Sequence, residues 1–303
     1  ISELKKRDIL IYQSPIEKKD QPSVIDISKW INNNYRIESD HIRPCRSGKI
    51  IPRFISNTPD FWRLCGYYLA EGFTGKGGTL TFAFHEEEVE YHQDVMGIIK
   101  NLFGVYGKIR TVKNSKGITV QFCSIILSEF FGNFLGRGAD YKKIPDFALS
   151  MPRLYLLEIF RGIYYGDGNN NPDSYSIVSN SRILLYQLRD ILLKFGVISS
   201  IRYHSSAKKA YRLYAGGMGL SLLEKLNFQH TFTKDRRFEY YQDGWAEGDR
   251  MFMAIRSIIP RFYKGKVYNI GVKDDNSYIA EDIIVKNCWL DGHEYISKKS
   301  RVY

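Results

Sequence analysis

Two stretches of the chain carry the same succession of apolar and polar patterns. Each opens with an apolar run of helical period and continues with a segment alternating at every second position. An amphipathic run, a basic alternating pair and a short apolar run follow. The first set predicts a helix over residues 61–71, a strand over 79–84 and a helix over about 87–103. A hairpin over 108–122 follows, turning at 114–117, and then a helix over 125–135. The second set predicts a helix over 154–167, a strand over 174–179 and a helix over about 182–195, closed by Gly196. It ends with a hairpin over 200–215, turning near 205–207, and a helix over 220–226. One unit used twice in a chain predicts two related subdomains packed about a pseudo-twofold axis. A site on that axis would receive one copy of each group from each half.

The leading helices of the two sets match residue by residue. One reads Leu64-Cys-Gly-Tyr-Tyr-Leu-Ala-Glu-Gly72 and the other Phe160-Arg-Gly-Ile-Tyr-Tyr-Gly-Asp-Gly168. A glycine inside a helix costs about 1 kcal/mol relative to alanine. Gly66 and Gly162 are therefore expected where two helix backbones touch. Glu71 and Asp167 stand in the last turn, at the negative end of the helix dipole, where a carboxylate calls for a neutralising cation. Gly72 and Gly168, just behind them, are expected to adopt the left-handed turn that ends many helices. Packed through their glycine faces, the helices would bring the two acids together. Close carboxylates repel each other, and a hard divalent cation such as Mg²⁺ resolves the repulsion. A metal so held can activate water against a phosphodiester.

The composition points to the same kind of partner. The formal net charge is +11, from 44 Lys and Arg against 33 Asp and Glu, which favours a polyanion. The basic residues gather on the two hairpins. One carries Lys108, Arg110, Lys113, Lys116 and Gln121; the other carries Arg202, Lys208, Lys209 and Arg212, interleaved with Tyr203, Tyr211 and Tyr214. A two-stranded ribbon fits the major groove, where arginine, lysine and glutamine can read base edges while others hold phosphates. The four cysteines have no CxxC spacing, so neither a zinc site nor a disulfide framework is expected. No run approaches the roughly 20 apolar residues of a membrane span. These features predict a soluble, cytoplasmic, monomeric protein.

The two nonapeptides, with the repeated pattern over 51–245, resemble the LAGLIDADG homing endonucleases. The resemblance implies an α+β fold of two αββαββα subdomains forming a pseudo-twofold saddle on double-stranded DNA. It implies that Glu71 and Asp167 hold the catalytic metals; the first motif departs from the family in using Glu. Lys142-Lys-Ile-Pro145 resembles the Lys-x-Ile-Pro element of intein endonucleases. By that resemblance Lys142, with its neighbour Lys143 as the alternative, lies near the scissile phosphates, and Lys234 is a counterpart in the second half. Residues 267–288, two strands and an aliphatic run ending in Asn-Cys, resemble the C-terminal end of an intein. That resemblance implies cyclisation of Asn287, thiol acceptance by Cys288 and host-protein sequence at 289–303. Residues 2–12 resemble the segment after the N-terminal splicing motifs. No N-terminal Cys or Ser nucleophile and no Thr-x-x-His element stands before it, and Lys286 occupies the usual penultimate His position, so the chain alone is not expected to splice.

The organisation expected is a splicing-domain remnant and linker over 1–50, subdomains over 51–150 and 151–245, a splicing segment over 246–288 in a partial all-β Hint-type domain, and the tail. The function expected is a metal-dependent, site-specific double-strand DNA endonuclease. The alternatives are the C-terminal fragment of a split intein, acting with an N-terminal partner fragment, and an RNA-binding maturase.

Overall fold

The computed structural model describes residues 4–13, 22–32, 35–45, 47–75, 77–171, 174–197, 199–203, 210–216, 244–247, 250–255, 257–260, 262, 264–266, 277–280, 283–286 and 301–302. By its contacts the chain divides into two units, residues 16–234 and residues 1–15 with 235–303.

The larger unit contains the repeat. Helix α1, Pro59–Glu71, starts where Thr58 accepts the Phe61 N–H and where Pro59 occupies the first turn. The chain passes directly into the strand Gly72–Gly75, then the strand Thr79–His85, helix α2 (Val89–Phe103), the hairpin Lys108–Thr111 with Gly117–Cys123, and helix α3 (Ile125–Leu135). The second half runs through helix α4 (Arg153–Asp167), the strands Gly168–Asn171 and Ser174–Ser179, helix α5 (Arg182–Lys194), and the strands Ser200–Tyr203 and Tyr211–Gly216. Each half forms one antiparallel four-stranded sheet with the same strand order: first, second, fourth, third. The helix expected over 220–226 and the turn near 205–207 lie outside the described residues.

Two strands escaped the periodicity, although the αββαββα order implied by the resemblance includes them. Gly72–Gly75 and Gly168–Asn171 are short and rich in Gly and Asn, with no alternating pattern to mark them. Their presence corrects the expected role of the glycines that start them. Gly72 has φ −83° and Gly168 φ −70°, both ordinary extended backbone rather than the left-handed region. The chain does not turn back at the helix end; it runs straight on into an edge strand. Glycine is required there for space, because a Cβ on Gly72 would lie 2.5 Å from Tyr68 Cα and one on Gly168 would meet the Tyr164 carbonyl.

The halves join through α1 and α4. A Cβ added at Gly66 would lie 2.8 Å from Gly162 Cα, and one at Gly162 would lie 2.7 Å from Tyr67 N. The backbones are thus in direct contact at these two glycines, which offsets their poor helix propensity. Around the contact the core is aromatic. Phe61 and Trp62 of α1 pack on Phe130 and Phe134 of α3 in one half, and Phe160 and Tyr164 pack on Tyr175 in the other.

Residues 22–50, expected in a splicing-domain remnant and linker over 1–50, group with the larger unit together with 51–57. Their strands Val24–Asp26 with Phe54–Ser56, and Tyr35–Ile37 with His41–Pro44 and Ile51–Pro52, pack on the first subdomain. Ile25, Ile27, Ile42, Ile51 and Ile55 enter its core. The Trp62 indole donates to Asn57 at 2.6 Å, Asn133 donates to the Trp30 carbonyl at 2.9 Å, and Glu129 accepts from the Tyr35 hydroxyl.

The smaller unit is a sheet built from both ends of the chain. Ile9–Gln13 lies between Arg250–Ala254 and Ile283–Lys286, flanked by Gly244–Glu247 and Ser277–Ala280.

The glycine contact makes a direct prediction. Gly162→Ala forces two backbones apart and is expected to cost about 1–3 kcal/mol, as overpacking does. Gly97→Ala in α2, where an added Cβ meets nothing within 4 Å, is expected to stabilise by up to about 1 kcal/mol. Denaturant midpoints of the two variants check both signs.

Candidate active site

The motif acids end the two contacting helices and sit beside each other. A Cβ on Gly166, the residue before Asp167, would lie 2.6 Å from Ala70 Cβ and 2.8 Å from Glu71 Cγ. Glu71 is half-buried, whereas Asp167 keeps an exposed edge although protein crowds the rest of its carboxyl. Burial first, then the charges of Asp167 and Glu88, pushes Glu71 up to about 7, against the opposing pull of Lys142. Burial also raises Asp167, again opposed by Lys142.

Lys142 faces this pair. Its ammonium donates to the Ala70 carbonyl at 2.8 Å, one residue before Glu71, and stands 5.7 Å from the centre of the Tyr68 ring. Burial pulls it down to about 8, against the pull of Asp167 and Glu71. Lys143, the alternative in the sequence, is exposed, and its backbone N–H donates to the Leu135 carbonyl. The position that Lys234 would take, and those of Asn287 and Cys288, lie outside the described residues.

The site fits a divalent cation in its donor set. Two oxygen-bearing side chains converge where burial and mutual repulsion oppose their ionisation, so a cation would relieve both. Among the described residues no group of three or more His, Cys, Asp or Glu side chains is arranged to hold a metal ion. Phosphate and water oxygens would have to complete the shell of a hard metal.

Each sheet begins at the end of one of these helices, and its two faces differ by alternation. In the first, Val120, Phe122, Phe82 and Leu80 turn toward the helices and are buried. Lys108 opposite Gln121, and Arg110 opposite Thr119, occupy the other face. Lys113 and Lys116 lie exposed at its turn, with Asn114 at φ 58° and Lys116 Nζ 3.9 Å from Glu87. In the second, Tyr175, Ile177, Leu213 and Ala215 face inward, while Arg202 stands directly opposite Arg212 on the outer face. Arg202 lies 5.5 Å over the Tyr214 ring. Lys208 and Lys209 lie outside the described residues.

Two features went unread in the sequence. Glu88, at the start of α2, adds its charge to the acid pair. Arg63 of α1 ties the subdomains together by donating to Asp94 at 2.7 Å and to the buried Glu158 of α4 at 2.7 Å; Arg161 also donates to Glu158. The signal was available, for Arg63 precedes Gly66 by three residues and Glu158 precedes Gly162 by four. Both therefore share the inward, glycine-bearing side of their helices.

Residues 155–240 match the LAGLIDADG-like domain. The first half repeats the second half's described helix order and sheet order. Among similar proteins, an uncharacterized protein of Methanocaldococcus jannaschii is 29% identical over 300 residues, covering 95% of this chain and 36% of that protein. The ATP-dependent DNA helicase Hel308 of Thermococcus kodakarensis is 30% identical over 275 residues, covering 83% of this chain and 23% of the helicase. A SufBD family iron-sulfur cluster assembly protein of Mycobacterium bovis is 26% identical over 247 residues, covering 76% and 27%. The chain thus spans about a quarter to a third of these relatives. Among solved structures, that of the homing endonuclease I-DmoI in complex with DNA and Mn aligns at a TM-score of 0.45 with 17% identity, over 57% of this chain and 98% of that one.

The raised Glu71 carboxyl sets a pH dependence. Its value of about 7 in the fold lies above the 4.5 of the free group. Protonation therefore favours the folded state. The contribution is full below about pH 4.5 and is lost as pH rises through about 7. In chelator, Glu71→Gln is expected to be more stable than wild type at pH 8, and the advantage is expected to vanish at pH 4.5. Thermal unfolding at the two pH values checks this; an equal difference at both would show that Glu71 titrates as an ordinary carboxylate.

Proposed function

We propose that the chain is a site-specific DNA endonuclease that makes a divalent-cation-dependent double-strand cut. The observation that carries the reading is the convergence of Glu71, Asp167 and Lys142 at one helix-pair end, from which two sheets with basic outer faces both begin. Glu71 and Asp167 would hold a divalent cation such as Mg²⁺, which supplies an activated water and neutralises charge on the departing oxygen. Lys142, anchored on Ala70, keeps the remaining N–H donors of its ammonium for a phosphate oxygen. Its charge would stabilise the phosphate while the water oxygen displaces one ester oxygen. The outer sheet faces would hold the duplex, with Arg110, Arg202, Arg212 and Gln121 serving base edges and Lys113, Lys116, Lys208 and Lys209 serving phosphates. Lys234 would serve the second half as Lys142 serves the first. The protein would act as a monomer, since both halves of the site lie in one chain.

A second reading concerns the smaller unit, and a specific observation favours it. The strand Ile9–Gln13 pairs with strands more than two hundred residues later, so the nuclease interrupts the sheet as an insert would. The relatives' names describe a helicase, a cluster-assembly protein and a DNA polymerase, and this chain covers only a minor share of each. A segment that recurs inside unrelated proteins fits a mobile, intein-borne element. On this reading Asn287 and Cys288 are splicing residues, and an N-terminal fragment would be needed for splicing in trans. The Ser277–Ala280 and Ile283–Lys286 hairpin would be its C-terminal splicing segment.

Incubation with a random DNA library and Mg²⁺, followed by sequencing of cut ends, tests the nuclease reading and yields the target. With that target, Glu71→Gln and Asp167→Asn are expected to abolish cutting while leaving the dissociation constant nearly unchanged. A variant that cuts at the wild-type rate would remove its acid from the assignment.

The outer faces carry a separate prediction. Loss of a phosphate-holding lysine, such as Lys113, is expected to flatten the log–log dependence of binding on salt by roughly 0.9. Loss of a base-reading arginine, such as Arg110 or Arg202, is expected to cost roughly 1–3 kcal/mol at one base pair and relax specificity there. Binding measured at several salt concentrations on matched and mismatched sites separates the two. If no hairpin residue moves either quantity, these faces do not hold DNA.

A further inference from the structure

Two buried side chains of α5 are devoted to one short stretch of backbone, residues 142–144. Ser181 caps α5 by accepting the Leu184 N–H at 3.2 Å, and its hydroxyl proton goes to the Lys142 carbonyl at 2.6 Å. Gln187 uses both ends of its amide on Ile144, accepting from its N–H at 2.8 Å and donating to its carbonyl at 2.7 Å. Ser181 is 1% exposed and Gln187 6%. Between these two grips, the Lys143 N–H donates to the Leu135 carbonyl at 2.8 Å, at the end of α3. The segment is therefore fixed from both subdomains, with its side-chain anchors on the second.

The lysine on that segment reaches in the other direction. Its ammonium bonds Ala70 on α1, in the first subdomain. Its main chain is thus tied to α5 while its charged end lies against α1. A small shift of α5 would carry the lysine's base with it and misplace the ammonium beside the acid pair. A structural staple alone would not require the same backbone to bear a half-buried lysine aimed at two carboxylates.

We propose that Ser181 and Gln187 are positioning residues for Lys142: through its backbone they set where its ammonium stands beside Glu71 and Asp167. This rests on the nuclease reading above for its consequence in rate, although the placement itself is testable without DNA. The first half uses the matching position differently. There the cap of α2 is Glu88, which forms no side-chain cap bond to its own helix and accepts instead from the His85 N–H at 2.7 Å. Among the described residues the hydroxyl-to-lysine link is seen in one half of the pair.

The test uses the full chain and the DNA target found by library cutting. Ser181→Ala and Gln187→Met are expected to lower the single-turnover cutting rate roughly 10- to 100-fold, with the dissociation constant for DNA unchanged. Ser181→Thr, which retains both the hydroxyl acceptor and its proton, is expected to restore the rate. In a Lys142→Met background, Ser181→Ala is expected to cause no further loss, because its effect passes through the lysine. Should Ser181→Ala be too unstable to assay, Ser181→Asp keeps the cap on Leu184 but lacks the proton for the Lys142 carbonyl, and it carries the same expectation. A measurement independent of cutting is the nuclear magnetic resonance signal of the Lys142 side chain, assigned by its loss in Lys142→Met. In metal-free protein it is expected to shift in Ser181→Ala and Gln187→Met and to return in Ser181→Thr.

Wild-type rates in Ser181→Ala and Gln187→Met, an undisturbed Lys142 signal, or rate losses that add fully to that of Lys142→Met would each overturn the proposal. A wild-type protein that does not cut DNA with Mg²⁺ would fail the nuclease reading instead, and the resonance measurement would still decide the placement.

Discussion

The contact of α1 with α4 through Gly66 and Gly162 is the constraint on which the rest of the larger unit depends. With no side chain between them, the helix backbones approach closely enough for their last turns to lie side by side. Everything chemical follows from that closeness. Glu71 comes to rest against Gly166, and the acids raise each other's cost of ionisation. The helix ends also become the shared origin of both sheets. A larger residue at either glycine would push the two helix backbones, and the acids that end them, apart.

A glycine seam is thin, and the chain reinforces it with charge. Arg63 spans α1, α2 and α4 by binding Asp94 and the buried Glu158 together. Breaking a buried pair from one side leaves an uncompensated charge and is strongly destabilising. This network therefore penalises any sliding of one helix along the other. Lys142 adds a tie of another kind, since its backbone is held by α5 and its ammonium by α1. The acids thus lie at the end of a helix pair held by backbone contact, ion pairing and a lysine strut.

Much of this was legible in the chain because the same pattern occurs twice. The described helices, the Thr79–His85 and Ser174–Ser179 strands, and the described hairpin strands follow periodicities strong enough to place within a few residues. The acids announced themselves by matched position. The two edge strands did not, because Gly72–Gly75 and Gly168–Asn171 are strands by virtue of their neighbours rather than their composition. The same locality explains the misread glycines: a glycine after a helix suggests a left-handed turn, and only the tertiary path shows that space was the need. The attachment of residues 22–57 to the first subdomain was hidden for the same reason. Its bonds, such as Asn133 to Trp30 and Glu129 to Tyr35, join positions about a hundred apart in sequence. Ser181 and Gln187 carry no periodic signal, since their partners are backbone atoms.

The sheet of the smaller unit imposes an order on the life of the molecule before it does anything else. Among the described residues, Ile9–Gln13 pairs with Arg250–Ala254 and Ile283–Lys286, both made long after it. During synthesis the first strand must wait while the larger unit emerges complete. Closing so long a loop from an unfolded chain costs entropy that grows with its length. A larger unit that has already collapsed shortens the span that remains to be closed. Folding is thus expected to run from the middle of the chain outward, with the two-ended sheet formed last and the early strand edge exposed in the interval.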